Sequence, residues 1–476
     1  METLIAATPA APQTPHSPED YAGLHRRLRH AFDRGELRAY AERRRALKAL
    51  RAAIKSHETA LFEALATDFG KPAFEAYTSE IGFCYQEIDH ALSHLRGWMR
   101  PTRVGVGPAL FPTTAKSYHV PKGVVLIVAP WNYPVNLTLG PLVAALAAGC
   151  HVVLKPAEDT PATSAVIEAL CHAAFAKTEV AVVQGAGGEV VPALMDAGRF
   201  DHVFYTGSTR VGRVLGERCG RELIPCTLEL GGKSPAIVMA DADLSVAADR
   251  LVWGKCFNAG QTCVAPDYVL VERGAEAQLL ELLSEKLRAA YGADPQQSPD
   301  LTRIVNARHW RRLRDLVDGA NVAHGGQYDE AERFIAPTIA TDVEMDSPLM
   351  AEEIFGPILP VIPVDGFDDA KSIIGLHPNP LAAYCFTESS ETERRFVQEL
   401  SFGGGCVNDT VIHLGIPNLP FGGVQESGIG RYHAAEGFRT FSNQKSVAKT
   451  STLLNLPLRY APYRDTFLQA VKTILG

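Results

Sequence analysis

The amino-acid sequence predicts an α/β fold built on a parallel, doubly wound sheet, and three observations lead to this prediction. Residues 124–128 (VVLIV) form a continuous apolar run rich in β-branched side chains, which is typical of a strand buried on both faces. Strand-like and helical segments then alternate up to residue 205, an order that favours parallel strands joined by crossover helices. A second α/β region, with a strand at 269–271, covers about 232–435.

The N-terminal part is predicted to be helical after a proline-rich lead-in that extends to about Pro18. Apolar residues at helical spacing predict one long amphipathic helix with Gly70 as its stop signal. These residues are Leu47, Leu50, Ile54, Leu61 and Leu65. The arginine run at 43–45 is interpreted as a solvated face of this helix, and a second helix is predicted over about 74–98.

The alternating region has a predicted position for each element. Its strands are predicted at 124–128, 151–154, 180–183 and 203–205, and its helices at 139–148, 163–174 and 190–195. Neither an internal repeat nor a long linker is visible, so the domains are expected to pack tightly.

Composition excludes several classes of protein. The chain has 476 residues, of which 46% are hydrophobic and 21% charged, values typical of a globular protein and not of a disordered one. The formal net charge of −8 argues against binding to nucleic acid. Nine scattered cysteines without a C-x-x-C pair favour a reducing compartment. With no signal-peptide pattern and no apolar run near ~20 residues, we expect a cytoplasmic protein without a transmembrane anchor.

Three segments place polar groups or glycines at the ends of predicted strands, where α/β proteins bind ligands. Asn132 follows the first strand, and its amide is suited to stabilising an oxyanion, although a simple turn with a packed Trp is the alternative. Lys155 and Glu158 follow the second strand and suit a nucleotide ribose. Gly207 and Gly212 border a strand-to-helix turn in which free N–H groups attract anions, although a turn without a bound ligand is the alternative.

Two further segments suggest covalent catalysis. Cys263 lies in a Gly-Gln-Thr-Cys loop and is a candidate nucleophile, although a lone cysteine is more often a core residue. Glu229 precedes a Gly-Gly turn and is a candidate general base. Neither segment contains a histidine, which argues against a Cys-His hydrolase.

Taken together, these segments resemble the NAD(P)-dependent aldehyde dehydrogenase superfamily. The motifs PWN, KPxE, GSTxxG, ELGGK and GQxC occur in the order of that family, followed by EEIFGP at 352–357, LPFGG at 419–423 and SGIG at 427–430. The resemblance extends from about residue 31 to 447. Residues 132–137, 263–268 and 459–463, together with the Tyr-His pair at 432–433, are most similar to the class 3 and coniferyl aldehyde dehydrogenase branch.

The resemblance implies a catalytic mechanism. Cys263 would attack the aldehyde, the Asn132 amide and the Cys263 backbone N–H would hold the oxyanion, and Glu229 would activate the water that hydrolyses the thioester. The substrate would be an aromatic or a medium- to long-chain aliphatic aldehyde, and Tyr133 would line its pocket. The cofactor would be NAD, NADP or both, and the enzyme would be a homodimer that needs no metal.

The resemblance also implies a set of cofactor-binding residues. Lys155 and Glu158 would meet the adenosine ribose, Glu353 would meet the nicotinamide ribose, and ordinary aromatic packing is the alternative role for Trp131 and Phe355. The full set is Lys155, Glu158, Gly207, Ser208, Gly212, Trp131, Leu230, Glu353 and Phe355.

Three positions depart from the family pattern. Pro141 occupies a position where many members carry a proton-relay lysine, so Glu229 is expected to exchange protons through water. Arg210 stands where an acidic residue is common and is expected to favour or tolerate NADP. Gln425 replaces a common Gly or Lys, with no consequence that the sequence suggests.

The resemblance divides the chain into functional parts. Residues 20–102 and 122–230 would form a Rossmann-type NAD(P)-binding domain, and 231–435 the catalytic domain. Residues 103–121 and 436–450 would form a small β extension for oligomerisation. The tail, 451–476, is expected to form a short helix that packs over the partner subunit or the substrate entrance.

Three alternatives stay open at this point. A CoA-acylating dehydrogenase would pass the thioester to a thiol, which the predicted base Glu229 argues against. A catalytically idle binding or structural protein on the same fold would show no turnover. A cysteine esterase would work without a cofactor.

Overall fold

The computed structural model of the chain describes residues 18–455 and 460–475. The lead-in predicted before Pro18, and residues 456–459 and 476 of the predicted tail, lie outside the described residues. The α-helices are α1 Pro18–Arg34, α2 Tyr40–Ser56, α3 Glu58–Phe69, α4 Ala73–Ala76, α5 Gly82–Trp98, α6 Asn136–Ala148, α7 Pro161–Ala174, α8 Gly187–Ala197, α9 Thr209–Glu222, α10 Leu244–Cys256, α11 Glu276–Tyr291, α12 Ala307–Asp318, α13 Pro348–Ala351, α14 Phe367–Ile374, α15 Ser390–Glu399, α16 Ala434–Thr440 and α17 Asp465–Leu475.

The strands form two large sheets, a three-stranded sheet and a short hairpin. They are β1 Thr102–Val104, β2 Thr113–Pro121, β3 Val124–Val128, β4 His151–Lys155, β5 Val180–Val182, β6 His202–Thr206, β7 Cys226–Glu229, β8 Pro235–Val238, β9 Tyr268–Glu272, β10 Asn321–His324, β11 Tyr328–Asp329, β12 Phe334–Ile335, β13 Thr338–Thr341, β14 Ile358–Val364, β15 Ala382–Phe386, β16 Gly404–Val407, β17 Gly428–Ile429 and β18 Ser442–Thr450.

The first large sheet confirms the predicted parallel, doubly wound architecture. Its strand order is β17-β7-β6-β3-β4-β5, and all neighbours are parallel except β17, which runs antiparallel to β7. The chain moves outward from β3 through β4 to β5 and then returns to place β6 on the other side of β3. This reversal creates a crevice beyond the carboxyl ends of β3 and β6, which is where such sheets bind ligands.

The second large sheet has the order β10-β13-β14-β9-β8-β15-β16, and only β10 is antiparallel to its neighbour. Residues 230–234 connect its strand β8 directly to β7 of the first sheet. The chain also returns to the first sheet late, because Gly428 of β17 pairs with Glu229. The end of β7 is therefore fixed between the two sheets.

The third sheet consists of β1, β2 and β18 in antiparallel order. Strand β2 pairs along its whole length with β18, from Thr113 opposite Thr450 to Pro121 opposite Ser442. Close to this sheet, α17 packs against the 3₁₀ turn Pro108–Leu110. No helix within 18–455 or 460–475 combines the length and the apolar character needed to cross a bilayer.

The long helix predicted over 47–65 is wrong in one respect, because the structure divides it into α2 and α3 at His57. The His57 ring nitrogen Nδ1 lies 2.8 Å from the Ala53 carbonyl oxygen, and the Ser56 hydroxyl donates to the same oxygen at 3.0 Å. Side chains that bond to the backbone in this way compete with helix continuation. Gly70 ends α3 in a left-handed conformation, as predicted.

The interpretation of the arginine run as a solvated face is also wrong for Arg43. Its guanidinium is buried and donates to the carbonyl oxygens of Leu37, Arg38 and Ala147, each at 3.1 Å. Burial lowers its pKa to about 10. Since Ala147 lies in the last turn of α6, the buried cation joins α2 to the carboxyl end of a helix that packs on the first sheet.

Replacing Arg43 with Met is expected to lower the free energy of unfolding by about 3 kcal/mol, because three carbonyl groups lose a charged donor. Chemical denaturation of the purified protein measures this change. Arg44→Met is the matched control, since Arg44 is exposed, and its effect should stay within about 0.5 kcal/mol. Equal effects of the two substitutions would contradict this account of Arg43.

Candidate active site

The crevice at the end of β3 contains Asn132, which contacts the loop that carries Cys263. The Asn132 side chain is buried, and its Nδ2 donates to the Gln261 carbonyl oxygen at 3.0 Å. In return, the Asn258 Nδ2 donates to the Asn132 carbonyl oxygen at 2.9 Å. The structure therefore brings together two segments that lie 129 residues apart in the sequence. The predicted amide of Asn132 bonds to Gln261, two positions before the predicted nucleophile Cys263.

The loop before Cys263 contains an unusual left-handed turn. Asn258, Ala259 and Gly260 have φ angles of 55°, 51° and 71°. A Cβ atom at Gly260 would overlap the Gly356 carbonyl oxygen, so this position requires glycine. The left-handed conformation is costly for the non-glycine residues Asn258 and Ala259, and neighbouring contacts must hold them in place.

Gln261 supplies several of these contacts. Its side-chain Nε2 donates to the carbonyl oxygens of Asn258 and Arg303, both at 3.1 Å, and its Oε1 accepts from the Val305 N–H at 3.0 Å. The side chain is fully buried, and its amide bonds to backbone at both ends. The Gln of the Gly-Gln-Thr-Cys loop therefore shapes the loop.

Cys263 is half-buried in this loop. Burial, together with the nearby carboxylates of Glu353 and Glu229, raises the pKa of its thiol well above the usual range. Hydrogen bonds from the backbone N–H groups of Cys263 and Val264 act in the opposite direction. The thiol thus lies next to both predicted acidic residues and beside backbone donors suited to a developing negative charge.

Glu229 ends β7 and is a buried carboxylate in which neither oxygen has a hydrogen-bond partner among the described residues. Burial raises its pKa well above the usual range, and the positive charge of Arg431 offsets only part of this effect. Buried polar groups in proteins almost always have partners, so an unpartnered carboxylate beside a thiol is typical of a functional group.

A buried ion pair that sequence reasoning missed supports the Asn132 segment. Lys71 Nζ donates to Glu80 Oε1 at 2.7 Å and to the Asn132 carbonyl oxygen at 3.3 Å, and both charged side chains are fully buried. The other Glu80 oxygen accepts the N–H groups of Val135 and Asn136, at the start of α6. In the sequence, Lys71 lies between the two predicted helices and Glu80 is an ordinary polar position of the second, so no signal identified them.

A second missed pair, Lys233 and Asp267, holds the segment that carries Glu353. Lys233 Nζ donates to Asp267 Oδ2 at 2.6 Å and to the carbonyl oxygens of Leu349 and Glu352. Asp267 Oδ1 accepts the Ile354 N–H at 3.0 Å. The Lys of the Glu-Leu-Gly-Gly-Lys motif was a signal that could have found this pair, because a lysine that becomes buried between two domains is almost always paired.

Glu353 lies against the Gly-Gly turn that follows Glu229. A Cβ atom at Gly231 would overlap the Glu353 carboxylate, so the glycine permits this approach. Burial and the nearby Asp267 raise the pKa of Glu353 to about 8, while a hydrogen bond from the Gly232 N–H favours the charged form. The structure therefore brings Glu353 together with the Glu229 and Cys263 segments.

Aromatic side chains form one wall of the crevice. Trp131 packs edge-on against Phe355, with ring centroids 5.3 Å apart, and tilts against His309 at 4.9 Å. Phe355 has a φ of 51°, so the chain turns sharply there. His309, near the start of α12, was missed by sequence reasoning, and burial lowers its pKa to about 4.

Tyr133 is buried beneath the Cys263 loop. Its hydroxyl oxygen lies 2.5 Å from the Thr262 hydroxyl oxygen, and Lys71 Nζ lies 4.5 Å from the centre of its ring. Tyr133 was predicted to line the substrate pocket, and in the structure it contacts the residue that directly precedes Cys263.

The remaining predicted cofactor residues lie at the ends of β4 and β6, on either side of β3. Lys155 is buried and forms an ion pair with Glu158, and a second oxygen of Glu158 accepts the Gly187 N–H at 2.8 Å. Gly187 is the first residue of α8. These contacts place a cation and a partly exposed carboxylate at the edge of the sheet where ligands bind.

The predicted phosphate turn follows β6. Ser208 is exposed and caps α9 by accepting the Val211 N–H. Gly212 packs against Leu230, and a Cβ atom at this position would overlap the leucine side chain. Gly212 and Leu230 therefore fix α9 against the β7 connection, while Gly207 and Ser208 lie at the open helix start. Arg210 is exposed on the first turn of this helix.

Within 18–455 and 460–475, no cluster of three His, Cys, Asp or Glu side chains is suited to holding a metal ion. The site instead consists of a thiol, an unpartnered carboxylate and a positioned amide at the reversal point of a parallel sheet. This combination is typical of an α/β enzyme that uses a cysteine for catalysis.

Comparison with known proteins identifies the family. The model of the aldehyde dehydrogenase family matches residues 14–447. A 4,4'-diaponeurosporen-aldehyde dehydrogenase of Staphylococcus aureus is 44% identical over 92% of this chain and 95% of its own length. The rat "Aldehyde dehydrogenase, dimeric NADP-preferring" is 40% identical over 92% and 96%. A substrate-bound structure of Staphylococcus aureus AldH superposes with a TM-score of 0.93 and 41% identity over 95% of this chain and 99% of that chain.

The chain belongs to the aldehyde dehydrogenase family and is an enzyme that oxidises aldehydes to carboxylic acids. Relatives named aldehyde dehydrogenase family 3, such as the human member B1 at 43% identity over 92% of this chain and 93% of its own length, confirm the predicted similarity to class 3.

The unpartnered carboxylate leads to a prediction about stability. Burial raises the pKa of Glu229 in the folded state, so the folded protein loses stability as the pH rises from the unfolded pKa toward the folded one. Glu229→Gln is therefore expected to raise the free energy of unfolding at pH 8, on the order of 1–3 kcal/mol.

Denaturation midpoints at pH 8 and pH 5 measure this effect, and the gain should shrink at the lower pH. Glu281→Gln, which changes an exposed glutamate, controls for charge removal. A Glu229 variant that is less stable than wild type at both pH values would contradict the assignment of an unsatisfied carboxylate.

Proposed function

We propose that this enzyme oxidises aromatic and medium- to long-chain aliphatic aldehydes irreversibly, with Cys263 as nucleophile and Glu229 as the base that activates water. One observation carries this proposal. The buried Glu229 carboxylate, which has no hydrogen-bond partner among the described residues, acts electrostatically on the half-buried Cys263 thiol, and the Asn132 amide bonds to the loop that carries this thiol. A purely structural site would leave no such carboxylate unsatisfied.

The first half of the reaction depends on Cys263 and Asn132. The Cys263 sulfur gives up its proton to water and forms a bond to the aldehyde carbon, and the carbonyl oxygen becomes an oxyanion. The Asn132 amide has a second N–H besides the one bonded to Gln261, and this donor together with the Cys263 backbone N–H stabilises the negative charge. Loss of hydride from the same carbon then leaves a thioester on the sulfur.

The second half depends on Glu229. Its carboxylate accepts a proton from water, and the resulting hydroxide attacks the thioester carbon. The carbon–sulfur bond breaks to release the acid and a thiolate, which takes up a proton from water to restore the thiol. Burial raises the pKa of Glu229 and so makes its carboxylate a stronger base than a solvated glutamate. Hydrolysis makes the reaction irreversible, and Pro141 at the relay position leaves water as the route by which Glu229 returns its proton.

The enzyme uses NAD or NADP, and the crevice fits such a group. The buried Thr206 hydroxyl at the end of β6 has no partner among the described residues. The exposed α9 start, with Gly207 and Ser208, suits a pyrophosphate, and the Lys155–Glu158 pair suits a ribose. When bound, the nicotinamide accepts the hydride, and Glu353, Phe355 and Trp131 would hold it beside Cys263.

Arg210 is proposed to favour the extra phosphate of NADP, because an exposed cation on the first turn of α9 lies beside the proposed phosphate turn. Arg210→Glu should weaken NADP binding about tenfold and leave NAD binding within about twofold. Titration with each dinucleotide measures this. Arg213→Glu, an exposed arginine one turn further along α9, is the control. Equal NADP affinity in wild type and Arg210→Glu would refute the proposal.

The surroundings of Cys263 support an apolar substrate. The Tyr384 hydroxyl donates to the Val264 carbonyl oxygen at 2.5 Å, and the rings of Tyr384, His413 and Phe421 follow one another at centroid distances of 6.1 and 6.4 Å. The segment around His413 also exposes Ile412, Ile416 and Leu419. Buried aromatic rings next to the Cys263 loop, with exposed apolar side chains near them, favour aromatic and long aliphatic aldehydes.

The proposal extends to assembly, location and domain roles. We propose a homodimer formed through 103–121 and 436–450. The word "dimeric" in the name of the rat relative and the exposed Val104 and Val447 support it.

The nine free thiols support a cytoplasmic location for the enzyme. Residues 20–102 with 122–230 are proposed to bind the cofactor, and 231–435 to carry catalysis.

The central test measures NAD(P)H formation with benzaldehyde, cinnamaldehyde, hexanal and decanal in the absence of CoA. Cys263→Ala should abolish turnover. Glu229→Gln should release about one NAD(P)H per chain in a burst and then stall, because the thioester forms but is not hydrolysed. Wild-type activity that appears only when CoA is added would contradict hydrolysis and favour the CoA-acylating alternative.

A further inference from the structure

A buried glutamate outside the predicted site contacts the loop that carries Cys263. Glu75 lies in the short helix α4, and its Oε2 accepts the backbone N–H of Asn258 and the hydroxyl of Thr302, each at 3.0 Å. Only 8% of Glu75 is exposed. The residue therefore reaches from the N-terminal helices to the first left-handed position of the catalytic loop.

Glu75 contacts the part of the loop whose backbone conformation is the least favourable. Asn258 and Ala259 are non-glycine residues in the left-handed conformation, and such positions persist only when surrounding contacts determine them. A carboxylate that accepts the Asn258 N–H fixes that peptide. The Asn258 side-chain amide in turn donates to the carbonyl oxygens of Asn132 and Gln261.

We propose that Glu75 is a positioning residue for this reaction, which holds the 258–260 turn so that the Cys263 thiol and the Asn132 amide face the same substrate carbon. This inference rests on the proposed role of Cys263. Glu75 itself touches neither the substrate nor the thiol. Glu75 acts through the backbone N–H of Asn258, whose side-chain amide bonds to Asn132 and Gln261.

The ionisation of Glu75 provides a signature that packing alone would not give. Burial raises its pKa to about 7, while Lys71 and the two hydrogen bonds favour the charged form. Asp300 opposes ionisation, and Tyr133, Cys256 and Tyr291 also lie within its electrostatic reach. Above its pKa, the carboxylate accepts two charge-assisted hydrogen bonds, which are stronger than those that a neutral carboxyl group accepts.

The test compares Glu75→Gln and Glu75→Ala with wild type. The glutamine keeps an acceptor oxygen but does not titrate, whereas the alanine removes the acceptor. Glu87→Gln is the matched control. Glu87 is also 8% exposed, and burial likewise raises its pKa to about 7, but it accepts the backbone N–H of Ala434 instead of one from the catalytic loop.

Two readouts are measured from pH 6 to pH 8: kcat/KM with benzaldehyde and NAD⁺, and the rate of Cys263 alkylation by iodoacetamide, located by peptide mapping. At pH 8, Glu75→Ala should lower both by at least about tenfold, and Glu75→Gln should recover most of that loss. The ratio of wild type to Glu75→Gln should rise across pH 7, and the ratio of wild type to Glu87→Gln should stay flat.

The inference is overturned if Cys263 in Glu75→Ala is alkylated at the wild-type rate and the variant turns over like wild type. It is also overturned if Glu75→Gln melts at the wild-type temperature but recovers none of the lost activity. A third contradicting result is a Glu87→Gln variant with the same pH step as Glu75→Gln. Failure of the proposed function would look different. In that case Cys263→Ala would keep its turnover, while the alkylation rates would still report whether Glu75 positions the loop.

Discussion

The active site depends on a left-handed turn, Asn258 to Gly260, that is held between two parallel sheets. The conformation is unfavourable for two of its three residues, and a network of side chains that are themselves buried compensates for this. The Gln261 side chain, directly after the turn, accepts a hydrogen bond from the Val305 N–H. The Asn132 side chain, which follows β3, donates to the Gln261 carbonyl oxygen. Because the turn contacts segments that follow strands of both large sheets, the packing of the two sheets also sets the shape of the proposed active site.

Buried charges perform much of this positioning, and they do so at a cost in stability. Removing a carboxylate from water is unfavourable unless partners replace the lost hydration. Lys71–Glu80 and Lys233–Asp267 meet that condition, because their oxygens and protons bond to backbone groups of the site. Glu229 finds no such partner within 18–455 and 460–475, and the difference separates the groups that hold the site from the group proposed to react.

Much of the fold could be predicted from the sequence, and the proposed reacting groups could be named from it, because both leave local signals. The buried strand β3 is a continuous apolar run, and Cys263, Glu229 and Asn132 occur in recognisable motifs. Glu75 and Arg43 could not be predicted, because each resembles a solvated helix residue until distant segments fold around it. The break at His57 was missed for a similar reason, since a side chain bonded to Ala53 is invisible to apolar periodicity.

The most direct test of the central claim is the mass of the intermediate. Glu229→Gln is mixed with cofactor and excess benzaldehyde, acid-quenched, and examined by intact-protein mass spectrometry and peptide mapping. The account predicts one benzoyl group per chain on the peptide that contains Cys263. An unmodified chain after NAD(P)H release, or a benzoyl group on another cysteine such as Cys226 or Cys406, would contradict it.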